Sequence, residues 1–248
     1  MTIAIIVFLT VFIGSCMQRI SGMGLGLVGG PVLMLVMGPV NGILVLNVLA
    51  TINALMTTLT VRKNVNWKYF AVIASVLVFG AVPGAIMVRE VSPDWLLLVA
   101  GTLLLLALSV VTAGKRYVPR VEGYVPMAAS GIVAGFMNTL AGIAGPAITV
   151  YSTAARWDQR MYAATLQPIF MVSGALSFII KQFTGAGDLG TIDPAIWPLG
   201  LFGMAAGIFA GVKIAPRISR QKAHQLALAL AVLGGLTAVI RGLIGLVG

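Results

Sequence analysis

Two short clusters hold most of the residues that could meet a ligand inside this chain. The first runs Gln18-Arg19-Ile20-Ser21-Gly22-Met23-Gly24, the second Asn138-Thr139-Leu140-Ala141-Gly142, with Gly145-Pro146 close behind. In each, amides and hydroxyls precede a glycine that can stop a helix. The helix restarting beyond Gly22–Gly26 or Gly142–Gly145 presents unpaired backbone N–H groups, and its dipole favours negative charge there. Arg19 adds a planar fork of donors suited to two oxyanion oxygens. The residues expected to surround a small anion are therefore Gln18, Arg19, Ser21, Gly22 and Gly24, with Asn138, Thr139, Gly142 and Gly145. Asn47 and Gln167 join them as polar residues in the middle of apolar stretches. For these two, an interhelical hydrogen bond that only holds helices together is an equal alternative. Arg19 also reads in two ways: near the midplane, meeting the anion, or at the cytoplasmic surface, ending a first helix that crosses fully.

Other chemistries lack their residues. The chain has 6 Asp and Glu, none inside an apolar stretch, so neither a carboxylate proton relay nor a carboxylate sodium site is expected within the membrane. No paired carboxylates, Ser/His/Asp set or metal cluster points to an enzyme. The lone His224 and the lone Cys16 form neither a metal site nor a disulfide. No Lys or Arg precedes Cys16 to make a signal peptide. A G-x4-G-K-[ST] loop is absent, which argues against direct ATP drive. No cofactor is expected.

The elements that must hold these clusters follow from hydropathy. Of 248 residues, 59% are hydrophobic and 9% charged, with mean hydropathy +1.05. A soluble domain carries about 25% charged residues, so the solvent for most of this chain is lipid. The net charge of +10 sits in short runs between apolar stretches, a membrane pattern rather than a nucleic-acid surface. Residues 41–61, 69–88, 95–114, 161–181, 194–213 and 224–247 are each long enough to cross a hydrocarbon layer of roughly 30 Å. Two longer uncharged regions, about 1–40 and 123–155, are interrupted by Gly22–Gly26 and Gly29-Gly30-Pro31, and by Gly142, Gly145 and Pro146. In the second, arms 124–138 and 143–153 would measure about 22 and 16 Å as helix, too short to cross comfortably. Both regions are expected to be hairpins that return to their starting side.

Charge supports that topology. With Lys115, Arg116 and Arg120 placed in the cytoplasm, twelve Lys and Arg fall inside and three outside (Arg89, Lys181, Arg241), leaving Arg19 aside. A single crossing by 123–155 would put Lys213, Arg217, Arg220 and Lys222 outside, against the positive-inside rule. Both termini are then extracytoplasmic.

The halves also match at an offset of 120 residues: Gly14–Gly22 lies over Ala134–Gly142, Asn47 over Gln167, Asn53 over Ser173. Gly80-xxx-Gly84 corresponds to Gly207-xxx-Gly211, a pattern expected to serve close helix packing. Each unit holds one hairpin and three crossings, an odd number, so the second copy should be inverted. The expected fold is an all-α polytopic membrane protein of two inverted repeats, 1–120 and 121–248, each a broken hairpin plus three transmembrane helices. Such repeats bind substrate near the midplane, between discontinuous helices.

Gly14-x3-Gln18-Arg19-x2-Gly22-Met23-Gly24, with Pro31 after it, resembles the first-repeat signature of the TauE/SafE sulfite-exporter family. Ala141-Gly142-x2-Gly145-Pro146, followed by Tyr151, resembles the second. The likeness runs over nearly the whole chain. It implies a bacterial inner-membrane permease for sulfite, sulfoacetate or similar sulfonates, working as a monomer or homodimer. One departure is plain: the first tip reads Met-Gly-Leu-Gly where a Gly-Gly-Gly run is common in the family. An anion channel, a transporter of small carboxylates, and a membrane scaffold or enzyme accessory are the competing readings. Duplicated polar tips argue against the scaffold, and two inverted halves argue for a carrier over a channel.

Overall fold

In the computed structural model, residues 2–113 and 119–247 are described; Lys115 and Arg116, counted above among the cytoplasmic cations, lie outside them. The described residues form ten α-helices and no strand: α1 Thr2–Ser21, α2 Leu25–Met37, α3 Pro39–Val61, α4 Trp67–Glu90, α5 Pro93–Ala113, α6 Tyr124–Ala141, α7 Gly145–Ala154, α8 Gln159–Thr184, α9 Ile196–Ile214 and α10 Arg220–Val247. Eight of these, all but α2 and α7, are long and apolar enough to cross a membrane. Their outer faces keep Phe79, Leu106, Phe202, Phe209 and Leu233 exposed, as a lipid solvent allows. This is a multi-pass membrane protein.

Both helix breaks have one cause. Gly22 and Gly142 adopt left-handed backbone, φ 88° and 70°. Their N–H groups close the preceding helix onto Gln18 O (2.9 Å) and Asn138 O (2.8 Å). Elsewhere side chains start helices: Asn66 Oδ1 accepts from Tyr69 N, and Asp158 Oδ1 from Arg160 N and Met161 N.

Two local expectations are corrected. Helix α6 does not stop at Asn138; it continues to Ala141, giving 18 residues, about 27 Å, and is of membrane-spanning length. Asn138 and Thr139 stay helical because their polar groups find partners inside the bundle. Likewise Gly29-Gly30-Pro31 does not interrupt the first region but lies within α2. A Cβ on Gly29 would lie 2.7 Å from Leu46 Cδ1, and one on Gly30 2.6 Å from Ala141 O, so these glycines bring α2 close to α3 and α6.

The packing is reciprocal. Helix α1 lies along α9 as α6 lies along α4, while α3 faces α8 and α5 faces α10. Gly207 abuts Phe12 O and Gly80 abuts Ile132 O; Gly211 abuts Cys16 O and Gly84 abuts Phe136 O. Phe12 and Ile132, and Cys16 and Phe136, are each 120 residues apart. The two Gly-xxx-Gly pairs are packing seams.

Candidate functional site

The two breaks meet. A Cβ on Gly26, just past the first, would lie 2.8 Å from Gly142 O at the second. Met23 is buried, and its Sδ would lie 2.7 Å from a Cβ on Gly145. Between the tips is a cavity of about 30 Å³ lined by Gln18, Gly24, Asn138, Gly142, Gly145 and Phe170 among others. That is room for about one water. The starts of α2 and α7 border it, and neither Gly24 nor Ala144, the residues at their N-caps, offers a capping side chain.

Four amides organise the tips, in two pairs. Gln18 Nε2 donates to Gln167 Oε1 (3.1 Å), joining α1 to α8. Asn138 Nδ2 donates to Asn47 Oδ1 (3.3 Å), joining α6 to α3. Adding 120 turns Gln18 into Asn138 and Asn47 into Gln167, so one pair maps onto the other. All four are at most 7% exposed. The first pair is tied to backbone: Leu25 N–H donates to Gln18 Oε1 (3.2 Å), and Gln167 Nε2 donates to Gly22 O (3.0 Å) and Ala163 O (3.1 Å). The second pair is tied to a side chain instead. Asn138 Nδ2 also donates to Ser177 Oγ (3.1 Å), which lies 2.9 Å from Thr139 Oγ1, and Asn47 Nδ2 is buried without a partner.

Beside the first tip opens a polar vestibule of about 340 Å³, lined by Gln18, Arg19, Ser21, Gly22, Thr57, Arg160 and Gln167 among others. Arg19 does not reach the cavity between the tips. It is half-buried, and its Nη1 donates to Thr60 Oγ1 (3.2 Å), two residues before the Arg62–Asn64 turn that ends α3. It stands instead at the vestibule, in the last turn of a span-length helix. The single Ser21 O–H stays within its own tip, with Met17 O (2.8 Å) and Met23 O (2.6 Å) both in reach as acceptors.

The candidates thus divide three ways. Gln18, Gly24, Asn138, Gly142 and Gly145 line the inner cavity; Gln18, Arg19, Ser21, Gly22 and Gln167 line the vestibule; Asn47 and Thr139 line neither. Sequence reasoning missed Thr57, Arg160 and Ser177. The 120-residue offset could have flagged Thr57 and Ser177, which are equivalent hydroxyls. In the sequence Arg160 counts only as one of the twelve inside charges. Tyr151 anchors a loop, its hydroxyl donating to Gly123 O (3.0 Å) with Trp157 edge-on at 5.7 Å. Among the described residues no group of His, Cys, Asp and Glu could hold a metal.

A family model described as sulfite exporter TauE/SafE matches residues 6–244. No curated protein and no solved structure matches the chain.

Proposed function

The chain belongs to the sulfite exporter TauE/SafE family, and from that premise we propose that it carries a small anion across the membrane by alternating access. The best-matched class is a sulfur oxyanion or organosulfonate, sulfite or sulfoacetate. It acts as a permease rather than an enzyme, without a cofactor, as a monomer or homodimer. In this reading it sits in a bacterial inner membrane with both termini extracytoplasmic, and its halves, 1–120 and 121–248, are inverted copies.

One observation carries the proposal: the Gln18–Gln167 and Asn138–Asn47 pairs, equivalent at 120 residues, each clasp one tip to the opposite half. A carrier of inverted repeats needs two such clasps, one for each face it opens. The vestibule lies beside the Arg62–Asn64 turn and Arg160, and in the proposed orientation it opens to the cytoplasm. Arg19 and Arg160 there raise the local concentration of anions. Further passage runs between the tips, where one water's volume is too little for sulfite, so the tips must part for the anion to move. The N–H groups at the start of α7, and that of Leu25 at the start of α2 once Gln18 releases it, then face it.

Flux into proteoliposomes tests this. Saturable uptake of sulfite or sulfoacetate, competing with one another and weaker for acetate, is expected. A preference for acetate would replace the substrate class, and a non-saturating conductive current would replace the carrier with a channel.

A further inference from the structure

Lys181 is the least accommodated charge among the described residues. It lies in α8, one turn from the end at Thr184, and is 0% exposed. Its Nζ has no hydrogen-bond partner, and no carboxylate stands within 4.0 Å. Burying an ammonium unpaired costs several kcal/mol, even after the protein relaxes around it. Such a group inside a membrane bundle marks a place that an ion or water reaches at some stage.

Its neighbours in the repeat give that place a shape. Moving 120 residues back along the chain turns Lys181 into Val61, Ser177 into Thr57, Asn138 into Gln18 and Gly142 into Gly22. All four counterparts line the open vestibule beside the first tip. Gln167, the other clasp residue in that vestibule, stands 120 residues after Asn47, which is its counterpart here. The set to which Lys181 belongs is therefore the repeat equivalent of a polar vestibule, but buried. Two of its buried donors, Asn47 Nδ2 and Lys181 Nζ, have no partner. Ser177, bonded to Asn138, precedes Lys181 by one helical turn on the same face. At the first tip the corresponding amide, Gln167 Nε2, meets two carbonyls.

We propose that Lys181, with Asn47 and Ser177, forms a second anion station, closed in this structure, that receives an oxyanion when the bundle opens on the face opposite the vestibule. This rests on the anion-carrier reading above. An oxyanion offers acceptors alone, and Lys181 and Asn47 hold the unmet donors. The charge of the open vestibule comes from Arg19 and Arg160; at the closed one it comes from Lys181.

Sulfite transport offered from each face in turn, in right-side-out and inside-out vesicles, tests the station. Lys181→Met keeps the length and removes the charge. It should raise the half-saturation for sulfite by about tenfold or more from the face opposite the vestibule, with little change from the vestibule face, and Lys181→Arg should retain most of the affinity. Wild-type half-saturation from both faces in a folded Lys181→Met protein overturns the proposal. A second measurement does not depend on sulfite being the substrate. With Cys16→Ser as background, Lys181→Cys should react with an impermeant anionic thiol reagent from the face opposite the vestibule. No reaction from that face overturns the station. If wild type carries no sulfite while Lys181→Cys still reacts, the sulfite assignment fails and the station stands.

Discussion

The two tips are built on one plan and fastened differently. At the first, long amides reach the backbone: Gln18 accepts from Leu25 N–H, and Gln167 holds Gly22 O and Ala163 O. At the second, Asn138 and Asn47 are each one methylene shorter. They hold each other and Ser177, and Asn47 keeps an unpartnered NH₂. One methylene decides whether a clasp secures the helix break itself or only a neighbouring side chain. The consequence is that the first tip is stabilised by polar bonds to its backbone, and the second by steric fit. Gly142 sits against Leu46 and Ile43, whereas at Gly22 an added Cβ would meet Ala163 alone, in a tight contact of 3.2 Å with its Cβ.

The largest expected effect separates these two modes. Gly142→Val forces a β-branched residue into left-handed backbone and against Leu46, at a cost of about 3 kcal/mol from strain and overpacking together. Gly22→Val meets the strain with less crowding and should cost about 1–2 kcal/mol. Thermal unfolding in detergent ranks them, and equal or reversed losses would break the comparison. Neither variant should transport, because both tips must move; normal flux through Gly142→Val would make the second tip packing alone.

Next comes the amide contrast. Gln18→Leu strands Leu25 N–H and Gln167 Oε1 in a buried setting and should cost about 2 kcal/mol. Asn138→Leu strands Asn47 Oδ1 but no backbone group, and Ser177 keeps Thr139, so it should cost less, about 1 kcal/mol. Chemical denaturation of both, read beside Gln18→Leu/Gln167→Leu, sharpens the point: the double variant should lose less than the sum, since the two residues share one bond.

A smaller effect tests the vestibule. Arg19→Gln should weaken anion affinity by roughly tenfold, near 1.4 kcal/mol, at the low end for a charged bond because water reaches the vestibule and screens it. Arg19→Lys keeps the charge, loses the fork and should fall less. Unchanged affinity in folded Arg19→Gln would leave Arg160 and the helix-start amides as the anion's contacts. Smallest in its effect on the protein is the topology probe. In a Cys16→Ser background, the exposed Ser92 and Ser219 are replaced singly by cysteine. Ser92→Cys should label from outside intact cells and Ser219→Cys should be protected; labelling of both would undo the opposed orientation of the halves.

Much of the frame was legible before any fold. The six plain spans appear within a few residues of their expected bounds, because a span is set by local hydropathy over about 20 residues. The breaks stand at Gly22 and Gly142 because a left-handed residue is a local demand that glycine meets without strain. The length of α6 was less legible. Asn138 and Thr139 look like the end of a helix when their partners are unknown, and become helix interior once Asn47 and Ser177 hold them.

By itself the sequence determined a bundle of apolar helices, two glycine breaks and the equivalence of Gln18 with Asn138 and of Asn47 with Gln167. Equivalence is not contact. That Gln18 meets Gln167, 149 residues away, and Asn138 meets Asn47, 91 away, was decided by which helices pack together. The same packing swung Arg19 toward Thr60 and out of the gap between the tips. It also enclosed Lys181, which from its neighbours along the chain reads as an ordinary charge near a helix end. Hydropathy and backbone conformation are properties of neighbours in sequence. Burial and hydrogen-bond partnership belong to neighbours in space, and in this chain every group that could hold an anion depends on the latter.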